Sequence, residues 1–254
     1  MLAVPAMLAA MLPSAKQDPV DYSALRWIMT GAAPVPPKLV EAYAEIGIAV
    51  TQVYGLSETC GPACVVGPDD IGRNPASTGR PFFHTSVRVV RDDESDASVG
   101  EPGEIWVAGR HLMKEYWNRP EETRAVLAGG WLRTGDIGFF DEAGMLTICD
   151  RKKDMIISGG ENVYPAEIEA VLLEHPAVAD AAVIGVPDER WGERPLAIVV
   201  RRREEVTAND LIAWCRERLA AFKVPKAVEF TTEIPRNPSG KILKRVLREQ
   251  YAGG

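Results

Sequence analysis

The sequence has 254 residues, a formal net charge of -7 and a pI of about 5.2. This acidic balance argues against a nucleic-acid-binding surface, which usually needs a basic face. Hydrophobic residues make up 46% of the chain and charged residues 26%, which is ordinary for a globular protein that buries a core. The length allows one large domain or two ordinary ones.

The beginning of the chain predicts a parallel β-α-β unit. The apolar segment 1–12 predicts a core helix rather than a signal peptide, because it has no cationic start and contains Pro5. Residues 25–30 and 48–54 predict strands, and residues 36–46 predict a helix with one apolar face. Ligands gather beyond the carboxyl ends of such strands. Gly31 and the pair Tyr54-Gly55 are therefore predicted to share one binding edge.

The middle of the chain predicts a small β-subdomain or barrel. Short strands are predicted over residues 85–90, 104–108 and 145–149, with acidic or glycine-containing turns between them. The segment Arg133-Thr134-Gly135-Asp136 is predicted to lie in the loop before the last hairpin of this subdomain.

The polar run 150–154 predicts a linker to a second domain. After it, helices are predicted over residues 165–174, 207–220 and 241–251, and strands over 178–186, 196–200 and 227–230. Thr207 is the predicted N-cap of the second helix. This mixed order indicates an α+β domain of about a hundred residues, which is a normal domain size.

Five short motifs follow one another along the chain. They are Tyr54-Gly55-Leu56-Ser57-Glu58, Arg133-Thr134-Gly135-Asp136, Asp150-Arg151-Lys152-Lys153-Asp154, Ser158-Gly159-Gly160-Glu161-Asn162 and Pro235-Arg236-Asn237-Pro238-Ser239-Gly240-Lys241. In this order they resemble the adenylate-forming (AMP-binding) enzymes, and most closely the fatty acyl-CoA synthetase branch of that superfamily. The resemblance runs from about residue 4 to residue 251.

The resemblance implies a multidomain protein of α/β and α+β class. Residues 1–150 are then the C-terminal part of the large AMP-binding domain, with the end of a parallel β-α-β subdomain at about 1–75 and a β-barrel-like subdomain at about 76–150. Residues 151–254 are the smaller, mobile α+β C-terminal domain with the catalytic lysine. The family's Ser/Thr/Gly-rich phosphate loop is expected upstream of Met1. The chain by itself is therefore expected to show little turnover.

The resemblance also implies a nucleotide site. It makes Tyr54 the ring that stacks on adenine, with Gly55 allowing close approach and with Gly31, Ala32 and Ala33 on the opposite side. Ser57 stands where the family usually has threonine, and its hydroxyl can donate to the α-phosphate. Glu58 is a hard oxygen ligand for Mg²⁺. Asp136 is implied to bind the ribose, and Arg151 the ribose or a phosphate.

The remaining implied roles fall on the C-terminal part. Lys153 matches the hinge about which the small domain rotates between two half-reactions. Ser158, Gly159 and Gly160 match residues that line the channel for the pantetheine of coenzyme A. Lys241 matches the lysine that reaches the α-phosphate and the substrate carboxylate during adenylation.

These assignments predict an ATP-dependent acyl-CoA synthetase that uses ATP, Mg²⁺, coenzyme A and a medium- or long-chain fatty acid. An aryl-acid CoA ligase, a carrier-loading adenylation domain and a catalytically inactive nucleotide- or partner-binding fragment stay open as alternatives. A cytoplasmic location is expected, with peripheral membrane contact as an option for a lipid substrate. No nucleic-acid partner is expected, and the oligomeric state is left open.

Overall fold

The computed structural model describes residues 1–17, 20–31, 35–237 and 240–251. The chain divides into two compact units, Met1–Ile148 and Cys149–Gly254. Within the described residues, no helix is both long enough and apolar enough to cross a membrane. The α/β character predicted from the sequence is confirmed in both units.

A five-stranded mixed sheet opens the first unit. Its strands follow the order β1-β2-β3-β4-β5, and the first three are parallel while the last three are antiparallel. The strands are β1 (Leu2–Ala3), β2 (Ile28–Thr30), β3 (Val50–Leu56), β4 (Gly61–Val65) and β5 (Arg80–Pro81). The parallel pairing of β2 and β3 confirms the predicted β-α-β unit.

Two helices, α1 (Pro5–Gln17) and α2 (Pro37–Ala44), accompany this sheet. Proline at the start of α2 suits a helical first turn, where no intrahelical donor is needed. The Tyr43 hydroxyl donates a 2.8 Å hydrogen bond to the Leu8 carbonyl, so the two helices are joined inside the core. The apolar segment at the start is only partly core, because Met7 and Met11 are exposed while Leu8 is fully buried.

A second five-stranded sheet occupies the region predicted to be a barrel-like subdomain. Its order is β10-β9-β7-β6, with β8 paired to β9. The strands are β6 (Ser86–Val90), β7 (Gly103–Ala108), β8 (Leu127–Ala128), β9 (Trp131–Phe140) and β10 (Leu146–Arg151), and the helix α3 (Pro120–Val126) precedes β8. Strand β10 begins in the first unit and ends in the second.

The second unit is an α+β fold around a third sheet. Its order is β12-β11-β14-β13, and β15 pairs with β14 in parallel. The elements are β11 (Ile156–Ser158), β12 (Glu161–Val163), α4 (Pro165–Leu173), β13 (Val178–Asp188), β14 (Gly192–Arg201), α5 (Ala208–Arg216), β15 (Ala227–Thr231) and α6 (Lys244–Tyr251). The core contains fully buried Ile168, Leu172 and Leu211.

Two helices predicted in the second unit extend at least three residues beyond the observed ones. The helix predicted over 207–220 ends at Arg216, although its predicted N-cap is confirmed because Thr207 Oγ1 accepts from the Asp210 N–H. The helix predicted over 241–251 begins at Lys244. The Lys241 N–H donates to Asn237 Oδ1 and the Leu243 N–H to the Pro235 carbonyl. The backbone before Lys244 is therefore committed to a loop rather than to a helix.

Candidate active site

Tyr54 and Asp136 meet in the first unit, although 82 positions separate them in sequence. The Tyr54 hydroxyl donates a 2.8 Å hydrogen bond to Asp136 Oδ2. Both residues are buried, with 8% of Tyr54 and 5% of Asp136 exposed. Burial raises the pKa of Tyr54, and the neighbouring Asp136 carboxylate raises it further. The phenol therefore stays protonated and keeps donating at ordinary pH.

A bulge in β9 directs the Asp136 side chain. Trp106 of β7 pairs with Arg133, whereas Glu104 pairs with Ile137, so three residues of β9 stand opposite one residue of β7. The Thr134 hydroxyl donates to the Ile105 carbonyl at 2.7 Å and accepts from the Asp136 N–H at 3.1 Å. The prediction that Asp136 lies in a loop is wrong, because these bonds keep it inside a ten-residue strand.

Gly31 lies beside β3 at the carboxyl end of β2. A Cβ atom at this position would stand 2.5 Å from the Val53 carbonyl oxygen, so a side chain has no room there. This contact places the backbone of Gly31 against the residue that precedes Tyr54, which is the shared edge predicted from the sequence. Gly55 is exposed on the same edge. Ala32 and Ala33, also predicted to face the nucleotide, lie outside the described residues.

Glu58 lies in a short 3₁₀ turn, Ser57–Thr59, that follows β3 directly. The Tyr116 hydroxyl donates a 2.7 Å hydrogen bond to Glu58 Oε1, and the Met113 N–H donates to the Glu58 carbonyl at 2.8 Å. Burial, followed by the hydrogen bond to Glu58, raises the pKa of Tyr116 to about 12. Ser57 is exposed beside this half-buried carboxylate.

Tyr116 is a site residue that the sequence did not reveal. Its contact with Glu58 joins positions 58 residues apart, and no local periodicity reports such a contact. The sequence shows only that a tyrosine lies in the loop between β7 and α3, which does not by itself predict its contact with Glu58.

The linker residues form a 3₁₀ turn, Lys152–Asp154, in the second unit. Lys153 is exposed and Arg151, at the end of β10, is half-buried. Carboxylates on either side of Lys153 bind neighbouring elements. Asp150 Oδ2 accepts from the Ala166 N–H at 2.8 Å, and Asp154 Oδ1 accepts from Arg248 at 2.7 Å.

Ser158, Gly159 and Gly160 belong to a tight hairpin between β11 and β12, in which Ser158 pairs with Glu161. Both glycines have positive φ, +62° and +87°, which is the conformation of a two-residue type I′ turn. A Cβ atom at Gly159 would stand 2.6 Å from the Trp191 ring. Trp191 is 40% exposed and stacks with Arg190, so a partly exposed indole lies directly against the glycine turn.

Lys241 is exposed and lies in the loop before α6. Arg236 fixes this loop, since its guanidinium donates to both carboxylate oxygens of Asp180 at 2.9 Å and to the Gly240 carbonyl at 2.8 Å. Behind the loop, Lys244 forms a 2.9 Å ion pair with the largely buried Glu169. Pro238 and Ser239 of this motif lie outside the described residues.

The structure thus brings the predicted residues together in two groups. Gly31, Tyr54, Gly55, Ser57, Glu58 and Asp136 lie in the first unit, around the ends of β2 and β3 and the bulge of β9. Arg151, Lys153, Ser158, Gly159, Gly160 and Lys241 lie in the second unit, on the linker turn, one hairpin and one loop. The first group combines a buried tyrosine, two carboxylates and close-packed glycine backbone, and the second offers an exposed cation and a glycine turn.

Two family comparisons identify the class of protein. Residues 1–117 match the family described as AMP-binding enzyme, and residues 167–241 match the C-terminal domain of AMP-binding enzymes. The chain belongs to this adenylate-forming family.

Individual relatives are similar over most of the chain. The long-chain-fatty-acid–CoA ligase FadD13 of Mycobacterium tuberculosis is 50% identical over 250 residues, which are 98% of this chain and 50% of FadD13. The feruloyl-CoA synthase of an Amycolatopsis species is 44% identical over 249 residues, which are 98% of this chain and 51% of that protein. The 2-succinylbenzoate–CoA ligase of Bacillus cereus is 45% identical over 227 residues, covering 89% of this chain and 47% of that protein.

Solved structures agree with this assignment. The o-succinylbenzoate CoA synthetase of Bacillus subtilis, in complex with its acyl-adenylate intermediate, is 40% identical with a TM-score of 0.90 and covers 100% of this chain and 51% of its own. The same enzyme in complex with ATP and a magnesium ion has a TM-score of 0.89 at 40% identity, over 97% of this chain and 50% of its own. The chain spans about half the length of the relatives it matches.

Proposed function

We propose that this chain forms part of an ATP-dependent acyl-CoA ligase that activates a medium- or long-chain fatty acid and transfers it to coenzyme A. The observation that carries the proposal is the 50% identity with the fatty-acid ligase FadD13 over 98% of the chain. The contact between Tyr54 and Asp136 supports it, because it joins two of the motifs that carry the family resemblance.

The first unit offers the nucleotide surface in this proposal. Tyr54 faces adenine together with Gly31, Ala32 and Ala33, and Gly55 lets the ligand approach the backbone. Asp136, whose Oδ2 accepts the Tyr54 hydroxyl, accepts hydrogen bonds from the ribose hydroxyls in this proposal. The Ser57 hydroxyl donates to the α-phosphate, and Arg151 adds a positive charge at the ribose or phosphate.

Glu58 fits a magnesium ligand. Tyr116 binds Glu58 Oε1, which leaves Oε2 of the half-buried carboxylate for a cation. Among the described residues there is no cluster of three or more His, Cys, Asp or Glu side chains that could cage a metal. This donor set suits Mg²⁺, which is usually held by one or two carboxylates together with substrate phosphates. When bound, the ion would neutralise charge on the phosphates of ATP.

In this proposal, the second unit supplies the groups that change position between the two half-reactions. Residues 151–254 act as a small mobile domain with its hinge at Lys153. Lys241 contributes positive charge at the α-phosphate and the substrate carboxylate during adenylation. In the other half-reaction, the hairpin of Ser158, Gly159 and Gly160 lines the path of pantetheine.

The reaction follows from these roles. The acid's carboxylate oxygen attacks the α-phosphorus, and the bond to pyrophosphate breaks, which gives an acyl-adenylate. The thiol of coenzyme A then loses its proton to solvent, its sulfur bonds to the acyl carbon, and the bond from that carbon to the AMP oxygen breaks, which releases AMP. Both steps rely on positioning and on preorganised charge, which are large contributions to catalysis.

An aromatic acid is the second candidate substrate. The feruloyl-CoA synthase at 44% identity and the succinylbenzoate ligase at 45% identity favour it, since both act on aromatic acids. The three relatives match largely the same residues at 44–50% identity, so identity alone does not separate the two substrate classes.

A substrate panel tests the proposal in the protein that carries this chain. Fatty acids of several chain lengths, ferulate and 2-succinylbenzoate are offered with ATP, Mg²⁺ and coenzyme A, and thioester formation is measured. A preference for fatty acids supports the first candidate, and a preference for the aromatic acids replaces it with the second. AMP binding without thioester formation from any acid would contradict both. We also propose a cytoplasmic location with peripheral membrane contact; co-sedimentation with lipid vesicles would support that contact, and its absence would contradict it.

A further inference from the structure

Helix α4 is capped by a carboxylate from the linker. Asp150 Oδ2 accepts from the N–H of Ala166, in the first turn of α4, at 2.8 Å, while Asp150 Oδ1 accepts from the Arg151 N–H at 2.7 Å. The residue at the N-cap position itself, Tyr164, makes no side-chain capping bond. Asp150 therefore satisfies a helix-terminal donor and places negative charge at the positive end of the helix, both of which stabilise a helix.

This contact spans the proposed hinge. Asp150 precedes Lys153 and Ala166 follows it, so the two partners lie on opposite sides of the pivot. The ion pair between Asp154 and Arg248, at 2.7 Å, lies wholly on the downstream side. A large backbone rotation at Lys153 must separate Asp150 from Ala166, whereas it leaves the distance between Asp154 and Arg248 unchanged.

We propose that Asp150 is a positioning residue that latches the hinge in the state in which its carboxylate caps α4. The inference rests on the proposed function only in placing the pivot at Lys153. The latch closes when the carboxylate caps α4, and it opens when the small domain turns and water takes over the Ala166 N–H. Asp150 thereby sets the ratio of two hinge states and acts on the reaction through Lys241 and the glycine hairpin, without touching substrate.

The test compares two helix-capping carboxylates in the same unit. Asp150→Ala removes the proposed latch, and Asp150→Asn keeps an acceptor oxygen without the charge. Asp210→Ala is the matched control, because Asp210 belongs to the capping box of α5 and its partner Thr207 lies on the same side of Lys153.

Distances between the two units are measured by Förster resonance energy transfer in the full 254-residue chain. One dye sits on exposed Cys60 and the other on Glu205→Cys, in a Cys149→Ser background; Cys64 and Cys215 are buried. No ATP, coenzyme A or acid is present, so the outcome does not depend on whether the protein is a CoA ligase. Hydrogen exchange at the Ala166 amide reports separately whether the cap is lost and whether the unit stays folded.

We expect Asp150→Ala to lower the ratio of latched to unlatched molecules about fivefold, which corresponds to the ~1 kcal/mol typical of a helix N-cap. Asp150→Asn should fall between the parent and Asp150→Ala, and Asp210→Ala should leave the distance distribution unchanged. Faster exchange at Ala166 in Asp150→Ala with an unchanged distance distribution would reduce Asp150 to a structural cap and overturn the proposal. Equal shifts in Asp150→Ala and Asp210→Ala would overturn it as well.

Discussion

The Tyr54 hydroxyl donates a 2.8 Å hydrogen bond to Asp136 Oδ2 and thereby joins two motifs that lie 82 positions apart. Both partners are buried, so the bond satisfies polar groups that are largely shielded from water. The bond fixes the position of the Asp136 carboxylate, which is proposed to accept hydrogen bonds from the ribose hydroxyls of the nucleotide. The same contact therefore serves the fold and the proposed site.

Removing the Asp136 carboxylate tests the proposed ribose contact. We expect Asp136→Ala to weaken the binding of AMP and of an acyl-adenylate mimic strongly, measured by isothermal titration calorimetry. Tyr54→Phe keeps the ring that is proposed to face adenine, and should weaken binding less. Unchanged AMP affinity in Asp136→Ala would remove the ribose assignment.

The stability of the same pair gives a prediction that needs no ligand. Tyr54→Phe should cost ~1–3 kcal/mol in the free energy of unfolding, because it leaves a buried carboxylate short of one donor. Tyr43→Phe is the matched control, since this buried tyrosine donates to the Leu8 carbonyl away from the site. The pKa of Tyr54 is higher in the folded state than in the unfolded chain, where it is about 10. The protonated Tyr54 hydroxyl therefore contributes its full stabilisation of the fold below about pH 10, and this contribution falls as the pH rises above that value. Urea unfolding across alkaline pH should show this decline in the parent relative to Tyr54→Phe.

Tyr116 is predicted to set the Mg²⁺ dependence of the protein. Its hydroxyl holds Glu58 Oε1 at 2.7 Å, so Tyr116→Phe should loosen the carboxylate and raise the Mg²⁺ concentration needed for half-maximal adenylation. Glu58→Gln should raise this Mg²⁺ concentration more than Tyr116→Phe does. Trp117→Ala, at an exposed neighbouring residue, should leave it unchanged. A Mg²⁺ titration followed by pyrophosphate exchange measures all three. Equal Mg²⁺ dependence in Tyr116→Phe and the parent would show that Tyr116 does not position Glu58.

The elements of regular periodicity were predictable from the sequence, whereas contacts between distant segments were not. The β-α-β unit and the capping of α5 by Thr207 follow from local spacing. The bulge that directs Asp136 depends on a register mismatch between β9 and β7, which no pattern within β9 reveals. The hydrogen bonds from the Tyr116 hydroxyl to Glu58 and from the Ala166 N–H to Asp150 also join distant segments that no local pattern relates. Short strands such as β12, with three residues, also fall below the length at which alternation is informative.

Substitutions at the two glycines of the hairpin in the second unit can distinguish the cost of backbone strain from the cost of a steric clash. Gly159 and Gly160 both have positive φ, but only a Cβ at Gly159 meets the Trp191 ring. We therefore expect Gly159→Ala to destabilise the protein more than Gly160→Ala, whose cost should be the ~1–2 kcal/mol of a left-handed residue. In a Trp191→Ala background the difference should disappear, as measured by thermal unfolding.

The same position tests the proposed channel. Gly159→Leu places bulk beside Trp191 and should block thioester formation from supplied acyl-adenylate while leaving pyrophosphate exchange largely intact. Loss of both activities to the same degree would mean that the hairpin is not specific to the second half-reaction.

The linker turn should be the first site of proteolysis. Lys152 and Lys153 are exposed in a short 3₁₀ turn, and Arg151 precedes them. We expect limited trypsin digestion to cut within 151–153 and to release two fragments, detected by mass spectrometry. First cleavage after Arg190, between the long strands β13 and β14, would place the flexible segment elsewhere.

Lys241 is predicted to be needed for only one half-reaction. Arg236 fixes its loop to Asp180, and the Lys241 side chain is exposed, so Lys241→Ala should remove a charge without unfolding the unit. Losing one such preorganised contact typically lowers a rate by about 100- to 1,000-fold, and we expect a loss of that size in pyrophosphate exchange. Coenzyme A consumption from supplied acyl-adenylate should fall much less, because the proposed hinge rotation carries Lys241 away in that step. Lys226→Ala, at another exposed lysine of the same unit, is the control and should change neither rate. If Lys241→Ala slowed both steps equally, Lys241 would have a role throughout the reaction rather than in adenylation alone.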